Sequence, residues 1–149
     1  MLKPSSRPAR WIGATLAPLL LLTACATEET AKVPVDRVVG NWKGPDGERL
    51  SFSADRKFTA VGLDSEMLAE TDCPGGESAG SWGFMVVKDN GSSFRSGTAT
   101  SGSWIGLGFE RRHFGCMLEL AVVEGGDTLC ATDDPDVPCG LDVRFTREK

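Results

Sequence analysis

Glu48-Arg49-Leu50-Ser51-Phe52-Ser53-Ala54-Asp55-Arg56-Lys57-Phe58-Thr59-Ala60-Val61-Gly62-Leu63 is the stretch whose pattern decides the fold. Its first six residues alternate, so an extended chain places Leu50 and Phe52 on one face. Ala54-Asp55-Arg56 supplies a turn, and Lys57 to Leu63 runs back as a strand carrying Phe58 and Val61. On the other side, Val38 to Lys43 forms a preceding strand. Gly44-Pro45-Asp46-Gly47 turns the chain, because Pro fixes φ and Gly accepts positive φ. Three consecutive strands joined by tight turns predict an antiparallel meander.

The same pattern continues downstream. Asp64 to Glu70 has room for one short helical turn with Asp64 as its N-cap. Gly80 to Lys88 reads as a strand with Trp82, Phe84 and Val86 on one side, followed by the hairpin turn Asp89-Asn90-Gly91. Residues 93–100 make a poor strand, rich in Ser, Thr and Gly. Ser103 to Glu110 sets Ile105, Leu107 and Phe109 opposite Gly106 and Gly108. The strongest strand is His113 to Val123, with Phe114, Cys116, Leu118, Leu120 and Val122 on one face. Glu124-Gly125-Gly126-Asp127 turns it into Thr128 to Thr132. Cys139 to Thr146 closes the chain with Leu141, Val143 and Phe145 inward. Eight or nine short strands predict an all-β domain, a small antiparallel β-barrel or a sandwich of about eight strands.

The N-terminus has a different composition. Lys3, Arg7 and Arg10 precede an uncharged apolar run from Trp11 to Ala24, too short for a comfortable span of about 20 residues. A basic start, a short apolar run and small residues describe a secretory signal peptide. Its last residues, Leu22-Thr23-Ala24-Cys25, resemble the bacterial lipobox. The resemblance implies cleavage before Cys25 and a diacylglycerol on the Cys25 thiol, hence a lipoprotein held on the extracytoplasmic face of the cell membrane. Two acyl chains hold a protein durably where one does so only marginally. The expected organisation is residues 1–24 as signal peptide, 25–37 as lipidated Cys and flexible tether, and 38–149 as a single barrel domain.

Composition agrees with export. Removing residues 1–24 takes away three basic residues and moves the formal charge from −5 to −8. Such a domain repels phosphate backbones, so no nucleic acid is expected as partner. It also argues against a second, electrostatic contact with anionic lipid. With Cys25 reserved for lipid, Cys73, Cys116, Cys130 and Cys139 remain, an even number that predicts two disulfides. Cys130 and Cys139 flank a turn-rich stretch and are expected to pair, leaving Cys73 with Cys116. One conflict arises: a regular ladder cannot put both Leu129 and Cys130 on the face of Leu141 and Val143. A bulge in the Asp133 to Pro138 loop would resolve it.

Gly40-Asn41-Trp42 resembles the Gly-x-Trp signature of lipocalin-type barrels. The resemblance implies that Trp42 closes one barrel end under an Arg of the last strand, Arg144 or Arg147. The chain departs from that family in having no Tyr, and hence no Thr-Asp-Tyr element, and no C-terminal helix. More broadly, Gly-x-Trp, Leu-x-Phe, the Phe-Thr-Ala strand and the closing Arg-Phe-Thr-Arg look like small uncharacterised lipoproteins of high-GC Gram-positive bacteria.

Chemistry-bearing residues are sparse. His113 is the only His, and no Gly-x-Ser-x-Gly elbow surrounds any Ser. Asp133, Asp134 and Asp136 are a candidate calcium cluster without the Gly and distal Glu of the helix-loop-helix motif, and read better as a solvated acidic tip. Glu66 with Glu70, or Glu110 with Glu119, are paired carboxylates by type but not by selective spacing. Trp42, Trp82 and Trp104 are candidate ligand-stacking residues, though small barrels are usually filled by their own side chains. The expectation is a non-enzymatic lipoprotein of the cell envelope with a binding or structural role and no cofactor. The alternatives are a lipocalin-like carrier of a small apolar ligand and, less favoured, an envelope hydrolase.

Overall fold

A computed structural model describes residues 28–111 and 116–149 of the chain. In order, the elements are β1 (Val33–Pro34), α1 (Val35–Val38), β2 (Gly40–Lys43), β3 (Arg49–Phe52), β4 (Lys57–Val61) and β5 (Glu77–Val87). There follow β6 (Ser93–Ser96), β7 (Ser101–Gly102), β8 (Trp104–Phe109), β9 (Glu119–Val123), β10 (Thr128–Thr132) and β11 (Arg144–Arg147). Short 3-10 turns lie at Ala69–Thr71 and Glu124–Gly126. Strands β2-β3-β4-β5-β8-β9-β10-β11 pair antiparallel in that order, and β11 pairs back onto β2. The result is a closed eight-stranded up-and-down barrel, not a sandwich.

The meander at 40–61 sets the register. Leu50 pairs with Ala60 and Phe52 with Phe58, and all four are buried. Val61 takes the opposite parity and is exposed. Inside, Trp42, Leu50, Phe52, Phe58, Trp82, Phe84, Ile105, Leu120, Leu129 and Phe145 belong to one continuous cluster. Edge-on aromatic contacts run through it, Phe52 to Trp82 at 5.6 Å and Trp82 to Phe84 at 5.8 Å.

The two barrel ends are built differently. At the end holding the 53–56 and 124–127 turns, α1 and the 97–102 segment plug the mouth. Val33 pairs with Gly102, the Val35 N–H donates to the Thr100 carbonyl at 3.2 Å, and the Trp42 indole donates to the Val38 carbonyl at 2.9 Å. At the opposite end lie the 44–47 turn and the loops 62–76 and 133–143. The Cys73–Cys116 disulfide ties loop 62–76 to the segment that leads into β9.

Four expectations change. The tether of residues 25–37 does not extend to 37. Thr30 bridges Val123, the Ala31 N–H donates to the Val122 carbonyl at 2.8 Å, and Val33 is buried, so the strap from residue 30 onward is part of the barrel. The low hydropathy of 26–35 hid this, because the strap is held mainly by its backbone. The helical turn moves to Ala69–Thr71, without a side-chain cap from Asp64. Residues 93–96 do form a strand, paired with the far half of β5. The strand expected over His113 to Val123 starts only at Glu119, and its first residues, with Phe114, lie outside the described residues.

The Leu129–Cys130 conflict is settled by a break nearer to β11 than the expected bulge. Leu129 and Ala131 face inward, while Cys130 faces outward and reaches Cys139 through their disulfide. Cys139 and Asp142 adopt φ of 62° and 54°, which breaks the regular strand ahead of Val143. Val143 then re-enters the inward register, with its carbonyl accepting from the Ala131 N–H at 2.8 Å.

Both disulfides follow the expected pairing, Cys73 with Cys116 and Cys130 with Cys139. They close stretches of 43 and 9 residues, so chain entropy assigns them about 4 and about 3 kcal/mol respectively. Replacing both Cys73 and Cys116 by Ala is expected to lower the unfolding midpoint more than replacing Cys130 and Cys139. Thermal unfolding of the two double variants checks this, and the reverse order would refute the entropic ranking.

Candidate functional site

The three tryptophans do not share a site. Trp42 is fully buried at the plugged end, where the Arg147 guanidinium lies 4.6 Å from its ring centroid. Arg147 also donates to the Val39 carbonyl at 2.8 Å and to that of Arg37. Of the two arginines considered, Arg147 therefore caps Trp42. Arg144 instead pairs with Glu28 at 2.8 Å and with Glu124 at 3.3 Å. The Gly of Gly40-x-Trp42 has a physical reason: a Cβ there would stand 2.6 Å from an Arg147 guanidinium nitrogen, and Gly40 has φ of 137°.

Trp82 is buried beneath Arg56, whose guanidinium sits 4.6 Å from its centroid and donates to the Ala99 carbonyl at 2.5 Å. Trp104 lies on the outside of the wall. It covers a small second cluster of Ala121, Val123 and Cys130, beside the Cys130–Cys139 bridge. Trp42 and Trp82 are core and Trp104 is a cover for a disulfide. None of the three lines the clefts described below.

The largest of these clefts, about 540 Å³, runs along the outer face of β5, β8 and the start of β9. Met85 and Met117 give it apolar walls, and Arg95, Glu119 and Asp133 supply polar groups. Its floor is low because the outward positions of β5 and β8 carry glycine. Gly106 pairs with Gly83, and Cβ atoms at Gly106 and Gly108 would collide with Met85 or Arg95. Arg95 reaches over this floor from β6 and donates to the Ser81 carbonyl at 3.1 Å. Burial pushes the Glu119 carboxyl up from its ordinary value. A second cleft of about 430 Å³ is lined by Pro74, Glu77, Ser78, Phe109, Glu110 and Arg111.

The remaining candidates do not assemble into chemistry. Glu110 and Glu119 line different clefts. Glu66 and Glu70 are exposed on the 62–76 loop. Asp134 is used locally, its carboxylate accepting from the Asp136 N–H at 2.9 Å and its carbonyl from the Thr132 hydroxyl at 2.8 Å. Among the described residues no three His, Cys, Asp or Glu side chains group so as to hold a metal ion. Cys25 and His113 lie outside the described residues.

Sequence reasoning missed Glu48. Its side chain is buried, one oxygen accepting the Asp46 N–H at 2.8 Å and the other the Ser65 hydroxyl. This carboxylate joins the 44–47 turn to loop 62–76, and leaving those donors unpaired would cost about 1–3 kcal/mol. The signal was present, since Glu48 has the same parity as the inward residues Leu50 and Phe52.

Because the Glu119 carboxyl is raised, the folded state binds its proton more tightly than the unfolded state does. Its contribution to stability therefore falls as pH rises from the unfolded value through the raised one. Glu119→Gln is expected to unfold at a higher temperature than the parent at pH 7, with the gain disappearing below the ordinary value of 4.5. Thermal melts of both proteins across that range check the sign.

Comparison with known proteins finds no matching family model, no matching curated protein and no matching solved structure.

Proposed function

We propose that this chain is a membrane-anchored lipoprotein of the cell envelope with a non-enzymatic binding role, recognising its partner on the outer wall of the barrel rather than in its lumen. The observation that carries the second half is the occupied interior. Trp42, Trp82, Phe58, Phe84 and Phe145 are among the largest fully buried side chains, and they fill the inward positions. The mixed apolar and charged cleft at Met85, Arg95, Met117 and Glu119 is open on the outside. The first half rests on the lipobox at Leu22 to Cys25 and is supported by two disulfides, which persist in oxidising compartments.

A lipocalin-like carrier is the second reading, favoured by the closed eight-stranded barrel and by Arg147 stacked on Trp42. It requires space beside the buried tryptophans. Titration with an apolar probe such as a long-chain fatty acid is expected to leave the emission of Trp42 and Trp82 unchanged. A saturable change would replace the outer-wall reading by the carrier.

The anchor has its own test. Metabolic labelling with a clickable fatty acid is expected to mark the parent chain and not Cys25→Ala. An unlabelled parent, or label surviving the substitution, removes the lipoprotein assignment.

A further inference from the structure

We propose that the tip of the β5–β6 hairpin is a second membrane contact, placing Val87 and Phe94 in the lipid interface beside the acylated Cys25. The proposal rests on the lipid-anchor reading and adds an orientation to it. Its first support is the length of chain between the anchor and the barrel. Glu28 is held by Arg144 at 2.8 Å, and Thr30 and Ala31 are paired with β9 at the plugged end. Three peptide steps separate Cys25 from Glu28, a reach of at most about 11 Å. The domain therefore cannot stand away from the bilayer on a long leash, and the plugged end is the end held against it.

The second support is that the hairpin projects from that same end. Pairing with β4 stops at Ser81 opposite Lys57, and pairing with β8 stops at Phe84 opposite Ile105. Beyond Phe84, residues Met85 to Val87 pair only with β6. Val87 thus stands about 10 Å past Phe84, the last β5 residue paired with a barrel strand. Val87 is 69% exposed on one face of the hairpin and Phe94, opposite Val86, is 41% exposed on the other, a high exposure for large apolar side chains near a hairpin end. The Lys88 ammonium, next toward the tip, lies 4.9 Å from the Phe94 ring centroid and is a cation available to a lipid phosphate. Asp89 at the tip offsets that charge, and the acidic domain gives no general attraction to anionic lipid. The contact is therefore apolar and local, too small to hold the protein alone but sufficient to orient one already anchored.

The test uses the full acylated chain with Val87→Cys, or with Val137→Cys on the opposite end as control, each carrying an environment-sensitive fluorophore. The disulfides and the lipid occupy the other cysteines, so the new thiol is the only one free to react. The proteins are mixed with vesicles of phosphatidylcholine and phosphatidylglycerol, with or without brominated acyl chains. The expected result is a blue shift and bromine quenching at position 87 and neither at 137. A vesicle-bound protein whose position 87 probe stays solvent-like overturns the contact while leaving the anchor intact. A blue shift without bromine quenching assigns the tip to a protein neighbour and overturns it too. A chain that carries no fatty acid and does not float with vesicles overturns the anchor and the contact together.

Discussion

The Arg147 guanidinium over Trp42 is the interaction on which the rest of the barrel depends. Strands β2 and β11 close the cylinder, yet their ladder holds only two residue pairs, Thr146 with Lys43 and Arg147 with Trp42. Every other seam between barrel strands is longer. At this short seam one side chain adds a stacked cation and donates to the carbonyls of Val39 and Arg37, and the Glu148 N–H adds a bond to the Asn41 carbonyl. The same carbonyls belong to the segment that leads from α1 into β2, so the guanidinium joins closure of the sheet to closure of its mouth.

Apart from the Arg56 Nη1 nitrogen and the Ser78 hydroxyl, which are buried without a partner, polar groups at the core among the described residues find partners. Glu48 does so at the loop end and Arg147 at the plugged end, and each joins two segments distant in sequence. The outer wall uses the opposite device. Glycines at 83, 106 and 108 remove side chains so that Arg95 and Met85 can lie flat across β8. That wall is where the structure has both relief and mixed chemistry.

The strands were readable because period-two alternation and turn residues act locally. Leu50, Phe52 and Phe58 take the inward positions that pattern demands, and the Cys130–Cys139 bridge follows from a turn between two cysteines. What was not readable is held by backbone or by distance. The strap at 30–34 carries little to bury and is fixed through main-chain bonds to β9 and β7, which no hydropathy pattern records. The break at Cys139 and Asp142 depends on left-handed backbone at two non-glycine residues. The outer cleft brings β5, β6, β8, the 116–119 segment and the 133–135 loop together, and only the closed sheet puts them side by side. Which of Arg144 and Arg147 covers Trp42 likewise turned on register.

The short seam also has a kinetic meaning. Trp42 and Arg147 are 105 residues apart, so closing the cylinder brings together nearly the whole length of the domain, whereas the most distant pair in any other barrel seam, Gly80 with Phe109, is 29 apart. Loop-closure entropy delays such a contact until the local hairpins exist. The chain would therefore complete its meander from β2 to β11 as an open, curled sheet, with the β2–β11 seam closing late. Until then the edges of β2 and β11 stay unpaired, and an incomplete chain is exposed to pairing with its neighbours. Truncation anywhere before Arg147 would leave the cylinder in that open state.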